Sequence, residues 1–474
     1  MLEPDLADLD LFFKPGSVAI VGVARGDYRI GGLSYLLRYQ EGGFPGPIYP
    51  INPKASEIRG LRAYPNLSAL PVVPDLAVIC LGADRVADVL EECGRVGVKH
   101  IHIFSAGFKE LNTEEGRRRE SRISEIAGRY GLLVIGPNCM GPYCPASGLT
   151  PWGAIPGLDG RLGIISQSGG ITQRLTEYTC SLGVGVAKAV SFGNAAVLDS
   201  LDFLEYMARD PRIQVIAMYL ESVRDGRVLL DLARQVNREK PIIMIKGGET
   251  EAGAKTVASH TGSMAGEHRI WEACFRQSGL TQVHSLDAWY DAVLAFLHLP
   301  AATGKGVFLI GGGGGNSVSY GDSCVRQGLD VPRLSAPIMD WLRRHVPEAG
   351  TISGNPLDVW TALTDASFVI QLLELAYQDP AVHMIIVDRV IPRKAFHMPG
   401  TPDSNPAVIE FVKKEGHRKP TVFAVESDGG DPELAAQGAG LRAEYCRNGI
   451  PAYPSVERAA RALLHLYRYH AQSG

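Results

Sequence analysis

At 474 residues, with 45% apolar and 21% charged residues and a formal net charge of −4, the chain is long enough for about three domains and too nearly neutral to bind nucleic acid or a membrane surface through bulk charge. Its eight cysteines form no CxxC pair and several lie in apolar runs, which points to reduced thiols rather than a disulfide framework or a zinc site. The acidic N-terminus "MLEPDLADLDLFFKPG" lacks the basic and apolar regions of a signal peptide, and no apolar run approaches the ~18 residues of a membrane span, so the expected location is the cytoplasm.

Five short apolar runs open the chain: "SVAIVGV" (17–23), "PIYPIN" (47–52), "LAVICL" (76–81), "HIHIFSA" (100–106) and "LLVIGP" (132–137). The stretches between them have helical periodicity, as in "DRVADVLEECGRVG" (84–97). Continuous apolar strands alternating with helices predict a parallel sheet covered on both faces. In such a sheet, ligands bind where loops leave the carboxyl ends of strands. The loop after the first strand, "VGVARGDYRIGG", has Gly22 for a tight turn but Ala24 where GxGxxG needs its second glycine. The second strand ends in "INPK", with Lys54 in place of the acidic residue that holds a ribose 2′-hydroxyl. A nicotinamide site is therefore disfavoured, and Lys54 suits an added phosphate better.

A Pro- and Gly-rich loop, "CPASGLTPWGAIPGLDG" (144–160), precedes a restart of the pattern: "RLGIISQ" (161–167), "VAKAVSF" (186–192), "VIAMYLE" (215–221) and "PIIMIKG" (241–247). A helix is predicted from about Met264 to Gln277 and a short edge strand at "QVHS" (282–285). In "SQSGGITQR" (166–174), Ser168 can cap a helix, and Gly169 and Gly170 leave room for an anion at its N–H groups; a neutral helix cap is the other reading. After "HLPAATGKG" (298–306) a third set follows: strands "VFLIGG" (307–312), "MIIVDRV" (384–390) and "TVFAVES" (421–427), with helices at "VIQLLELAYQ" (369–378) and "VERAARALLHLYRYH" (456–470). Five consecutive glycines in "IGGGGGNSVSYGD" (310–322) are costly to order, which suggests a ligand or partner surface there. The polar or glycine-bearing loops "SAGF" (105–108), "GPNCMG" (136–141), "SFGN" (191–194) and "GNPLD" (354–358) also follow strands. Three α/β domains are expected, at 1–148, 149–301 and 302–474.

The stretch "VASHTGSMAG" (257–266) places His260 among small residues that cannot form a packed core, and it is expected to be a loop. Phosphoryl transfer through a neutral imidazole needs an exposed ring nitrogen, a cradle for the anion and an acceptor that orients the ring. Helix N-termini after Gly170 and after Ser263 offer the cradle, and Glu221, ending "VIAMYLE" on the same sheet edge, offers the acceptor. A packing or surface role is the alternative for any one of the 12 histidines.

Taken in order, "LFFKPGSVAIVGVA", "PIYPINPK", "GPNCMGP", "IISQSGGI", "VSFGN", "YLES", "KGGETEAGAKTVASHTGSMAG" and "GNPLDV" make nearly the whole chain resemble the NDP-forming acyl-CoA synthetases, relatives of the succinyl-CoA synthetase α subunit. The resemblance implies a Rossmann-like CoA-binding domain followed by two flavodoxin-like domains. It implies an ADP-forming ligase reaction, in which a nucleotide phosphorylates His260, the phosphate passes to a carboxylic acid, and CoA thiolate displaces it from the acyl phosphate. It implies Glu221 beside the ring and Ser168, Gly169, Gly170, Thr261 and Gly262 around the phosphate. For CoA it implies Gly22, Val23, Ala24, Lys54, Ser105, Ala106, Gly107 and Asn138. The chain departs from the family in Val23-Ala24-Arg25, where an Ala-Ser pair is common, and in its penta-glycine. The family's nucleotide site lies in an ATP-grasp module of roughly two hundred residues, which these motifs do not include, and the chain has no GxxxxGK[ST] loop. A separate ATP-grasp β-type subunit binding ATP and Mg2+, and hence a hetero-oligomer, is the expectation, with the soft His260 segment moving between two sites. A non-catalytic CoA-binding regulatory protein of the same fold is the alternative.

Overall fold

The computed structural model describes residues 7–24, 31–152, 157–261, 267–311, 313–346, 354–359, 365–389, 391, 405–427 and 430–473, except the side chains of 258–261 and 473. Two compact units divide the chain: 1–180 with 185–284, and 181–184 with 285–474.

The first unit contains two sheets. The strands are β1 (Val18–Val21), β2 (Ile48–Ile51), β3 (Glu57–Ile58), β4 (Leu61–Arg62), β5 (Leu76–Ile79), β6 (His100–Ile103), β7 (Leu133–Ile135), β8 (Gly141–Tyr143), β9 (Leu162–Ser166), β10 (Val186–Ser191), β11 (Val215–Leu220), β12 (Ile242–Lys246) and β13 (Thr281–Gln282). The first sheet runs β2-β1-β5-β6-β7 and is parallel throughout; β3 and β4 form a separate antiparallel hairpin. Every residue of β1, β5, β6 and β7 is buried, as the unbroken apolar runs require of strands covered on both faces.

The second sheet runs β13-β12-β11-β9-β10-β8. It is parallel except at β8, which pairs antiparallel with β10. The sequence pattern places residues 141–143 in a loop; three residues around Pro142 carry no readable alternation, and an edge position tolerates the proline. The predicted edge strand at 282–285 is β13, one residue earlier, paired with β12. The helix expected from Met264 is His268–Ser278, and residues 262–266 lie outside the described residues.

The helix Asp10–Phe13 joins the two sheets. Phe13 stacks on Tyr206 with ring centroids 5.3 Å apart, and Phe12 meets His100 edge-on at 5.2 Å. Lys188, in the middle of β10 and only 2% exposed, pairs with Asp210 at 2.9 Å and with Asp10 at 3.2 Å, and donates to the Tyr206 hydroxyl. Burial alone would raise both carboxyls, but Tyr206 and Lys188 outweigh it at Asp10, and Lys188 and the Arg212 N–H at Asp210, so both sit below the usual range.

The second unit is built on one parallel sheet of β14 (Val307–Gly311), β15 (Leu357–Asp358), β16 (Met384–Asp388), β17 (Thr421–Ala424) and β18 (Ala452–Tyr453), in the order β15-β14-β16-β17-β18. The two-residue strands β15 and β18 are too short to leave a sequence signal. Residues 285–301, expected with the second domain, group with this sheet: Asp291 of the helix Leu286–His298 is 1% exposed and takes Arg458 in two bonds of 2.8 Å. The penta-glycine is ordered where it is described. Gly311 ends β14, Gly313 donates its N–H to Asp358, and a helix starts at Gly314.

Candidate active site

The parallel order β2-β1-β5-β6-β7 puts four expected CoA loops on one carboxyl edge. Gly22 follows β1 with φ +95°, and a Cβ there would lie 2.4 Å from the Cys80 carbonyl, so only glycine makes this turn. Val23 is fully buried, while Ala24 is exposed. Asn52 donates to the Val23 carbonyl at 2.7 Å and accepts from the Lys54 N–H at 2.8 Å, which ties the two loops and leaves the Lys54 side chain exposed. After β6, the buried Ser105 hydroxyl accepts from the Leu81 N–H at 3.1 Å, and the Ser105 carbonyl accepts from the Asn138 N–H at 2.9 Å. Ala106 is exposed beside them, and the Gly107 N–H donates to Glu110 at 2.6 Å. The edge thus offers a glycine-lined turn, an exposed cation and exposed backbone, which fits an elongated ligand ending in phosphates. Residues 25–30, including Arg25, lie outside the described residues.

On the second sheet, β9 lies between β11 and β10, so the segment after β9 meets the ends of both. Ser168 precedes the helix Gly169–Ser181; its hydroxyl accepts from the Ile171 N–H at 3.4 Å, and its carbonyl receives the Thr172 hydroxyl at 2.7 Å. A side chain at Gly169 would strike Met140, but one at Gly170 would meet nothing within 4 Å among the described residues, which leaves the helix N-terminus open on that side. That is the anion-accepting form of the motif. Gln167 clamps the next strand end: its Oε1 accepts from the N–H groups of Glu221 and Ser222, and its Nε2 donates to the Ser222 hydroxyl at 3.3 Å.

Glu221 is 5% exposed. One carboxylate oxygen accepts from the Tyr219 hydroxyl at 3.3 Å; the other is buried without a partner among the described residues. Gly247 lies against it, since a Cβ there would come within 2.6 Å of the Tyr219 hydroxyl and 3.2 Å of Glu221 Cγ. A cavity of about 190 Å³ adjoins this point, lined by Gln167 and Ser222 and by Lys109, Asn194 and Arg224.

The His260 segment corrects the expected loop. Its backbone is helical from Glu251 to Thr261, because "ETEAGAKTVASHT" has no residue that breaks a helix except one tolerated glycine. The side chains of His260 and Thr261, and all of Gly262, lie outside the described residues. This helix packs against the 3-10 turn Lys109–Leu111, which follows the Ser105–Gly107 loop. The fold therefore brings the His260 segment to the edge of the first sheet. His102 is a core residue: it is fully buried, burial pushes its ring down to about 4, and its Nε2 lies 3.2 Å from the Cys139 carbonyl.

Two groups here escape the motif reading, Gln167 and Tyr219, whose contacts with Glu221 the runs themselves do not show. Trp152 packs as an ordinary core residue, 4% exposed and stacked on Tyr143 at 5.1 Å.

Family profiles match in series: a CoA binding domain over residues 16–145, a succinyl-CoA ligase like flavodoxin domain over 159–296 and a ligase-CoA domain over 307–473. The acetate–CoA ligase [ADP-forming] I subunit alpha of Pyrococcus furiosus is 36% identical, with 97% of each chain covered. An acetate–CoA ligase [ADP-forming] of Methanocaldococcus jannaschii is 33% identical over 98% of this chain but 63% of its own. The solved dinucleotide-forming acetyl-coenzyme A synthetase 1 of Ca. Korarchaeum cryptofilum, in complex with phosphate and ADP, superposes with a TM-score of 0.84 at 32% identity, covering 98% of this chain and 97% of that one. With its CoA-type loop edge, its SGG helix start and a near full-length match to these enzymes, the chain belongs to the NDP-forming, here ADP-forming, acyl-CoA synthetases and is an acid–CoA ligase of their α-subunit type.

Proposed function

We propose that this chain carries the phosphohistidine of an ADP-forming acid–CoA ligase whose ATP and Mg2+ are bound by a separate ATP-grasp subunit. The near end-to-end match to a relative that is itself an α subunit supports a separate partner. The observation that carries the mechanism is the buried Glu221 oxygen without a partner among the described residues, at a strand end next to a cavity that Lys109 also lines, on the turn against which the His260 helix packs. A buried carboxylate oxygen requires a donor, and an imidazole N–H supplies one while directing the other ring nitrogen outward. The opposite nitrogen then accepts a phosphoryl group, whose charge the N–H groups at Gly169 and Gly170 receive. Transfer to the acid's carboxylate gives an acyl phosphate and returns neutral His260; inorganic phosphate leaves as the thioester forms.

The chain can be tested without a nucleotide site. Acetyl-CoA and radiolabelled phosphate, the reverse half-reaction for the acid that several relatives use, should leave acid-labile, base-stable phosphate on the protein. Glu221→Gln should lower the labelling rate on the order of 10²-fold; an unchanged rate and yield would remove the orienting role. Lys54→Ala should weaken CoA by about 5–10-fold and dephospho-CoA hardly at all, as expected for one charge-assisted phosphate contact. Equal losses for both ligands would eliminate a 3′-phosphate contact.

A further inference from the structure

On the proposed route the acid meets a phosphoryl group first and the CoA thiol second, so it needs a place within reach of both. The cavity of about 190 Å³ stands between the two loop sets. On one side it is lined by Gln167, just before the helix start at Gly169, and by Ser222, just after Glu221. On the other side are Lys109, on the turn after the Ser105–Gly107 loop, and Asn194, whose N–H donates to the Pro137 carbonyl at 3.0 Å and whose Oδ1 accepts from Asn138 at 3.3 Å. Both cations of the lining already have partners. Lys109 donates to the Asn194 carbonyl and pairs with Glu120 at 3.0 Å. Arg224 donates to the Ala195 and Val197 carbonyls at 2.7 and 3.2 Å and pairs with Asp199, itself a lining residue, at 3.4 Å. Phe192, 1% exposed, and the half-buried Val223 add apolar wall. A second carboxylate placed here would lose its water and find each lining cation already neutralised. At about 30 Å³ for a water, the space holds about six such groups, more than the methyl of acetate fills.

We propose that this cavity is the acyl subsite, and that it takes the uncharged tail of a monocarboxylic acid larger than acetate, with Phe192 and Val223 setting the size limit. This rests on the reading of the chain as the CoA- and acid-binding part of the ligase. The acid's carboxylate stays at the Gln167 end, towards the open helix N-terminus, and the tail points along the apolar wall. No bond forms or breaks inside the cavity; it selects by volume and by charge.

The test reads binding alone and needs neither phosphate nor nucleotide. Dissociation constants of the full chain are measured by calorimetry for CoA, acetyl-CoA, 4-methylpentanoyl-CoA and succinyl-CoA. The last two tails are isosteric and differ in charge. Each added carbon that is buried favours binding about fourfold, so 4-methylpentanoyl-CoA should bind about tenfold or more tighter than acetyl-CoA. Succinyl-CoA should bind about tenfold or more weaker than 4-methylpentanoyl-CoA, because its second carboxylate loses water without gaining a partner. Val223→Phe, which fills the cavity, should cut the preference for 4-methylpentanoyl-CoA over acetyl-CoA about tenfold. Equal affinities for these two thioesters in the wild type overturn the acyl subsite, and succinyl-CoA binding as tightly as its isostere overturns the uncharged tail; both outcomes stand even if the variant fails to fold. A Val223→Phe chain that loses CoA as much as the longer thioester shows the pantetheine arm in the cavity and also overturns the proposal. A wild-type chain that binds none of the four, CoA included, defeats the CoA reading on which the proposal rests. Label that persists in His260→Asn defeats the phosphohistidine reading instead, and leaves the subsite to be decided by these affinities.

Discussion

If His260 carries the phosphate as proposed, His260→Asn is expected to leave the chain without base-stable phosphate and to lower acyl-CoA formation on the order of 10⁴-fold or more, the scale of losing a nucleophile that forms a covalent intermediate. Asparagine keeps a polar group of similar reach but has no ring nitrogen to accept phosphorus. The labelling is checked by alkaline hydrolysis and peptide mapping, with CoA binding as the control. CoA affinity should be unchanged, because the CoA loops belong to the first sheet and the substitution lies in the helix Glu251–Thr261. Label found on another histidine would sink the assignment. His102 is no alternative acceptor, since its buried ring has the Cys139 carbonyl at 3.2 Å and no access to solvent.

Lys188→Met is the largest expected loss of stability. The substitution preserves much of the stem but removes an ammonium that serves Asp210, Asp10 and the Tyr206 hydroxyl at a 2% exposed position. Asp210, with a side chain 10% exposed, is left without its partner. Breaking such a buried pair costs about 3 kcal/mol or more, and the first unit should melt on the order of 6–12 °C lower. The sign with pH follows from the depressed carboxyls of Asp10 and Asp210. Their contribution is complete above the ordinary carboxylate range, about pH 4, and is lost as pH falls through their lower folded values. The gap between wild type and variant should therefore narrow from about pH 7 to about pH 3. Thermal melts at both ends check this, and a gap that stays constant would show that the network is not ionised in the fold.

Both effects depend on elements that differ in how plainly the sequence shows them. His260 was visible because its flanks are too small to pack, and Glu221 because it ends an apolar run. The conformation of the first was misread: small residues such as Ala and Ser are also adequate helix formers, and the helix runs through Thr261. Nothing in "VAKAVSF" announces the role of Lys188; packing against the helix Asp10–Phe13 gives it Asp10, 178 residues away. Gln167 is similar, a polar residue in a glycine motif that closes on Glu221 and Ser222 across 54 and 55 residues. The antiparallel β8 and the two-residue strands β15 and β18 left no pattern, because alternation and runs need more than two or three residues to be read.

The sequence by itself determined the alternation of strands and helices, the class of the sheets and the chemistry of the loops, because periodicity and turn preference act over a few neighbouring residues. The tertiary structure decided which loops share an edge, that the His260 helix packs on the turn after Ser105–Gly107, and that Gln167 closes on the strand end at Glu221. Those relations follow from strand order and register, which are set by the burial of both sheet faces together and not by any one segment.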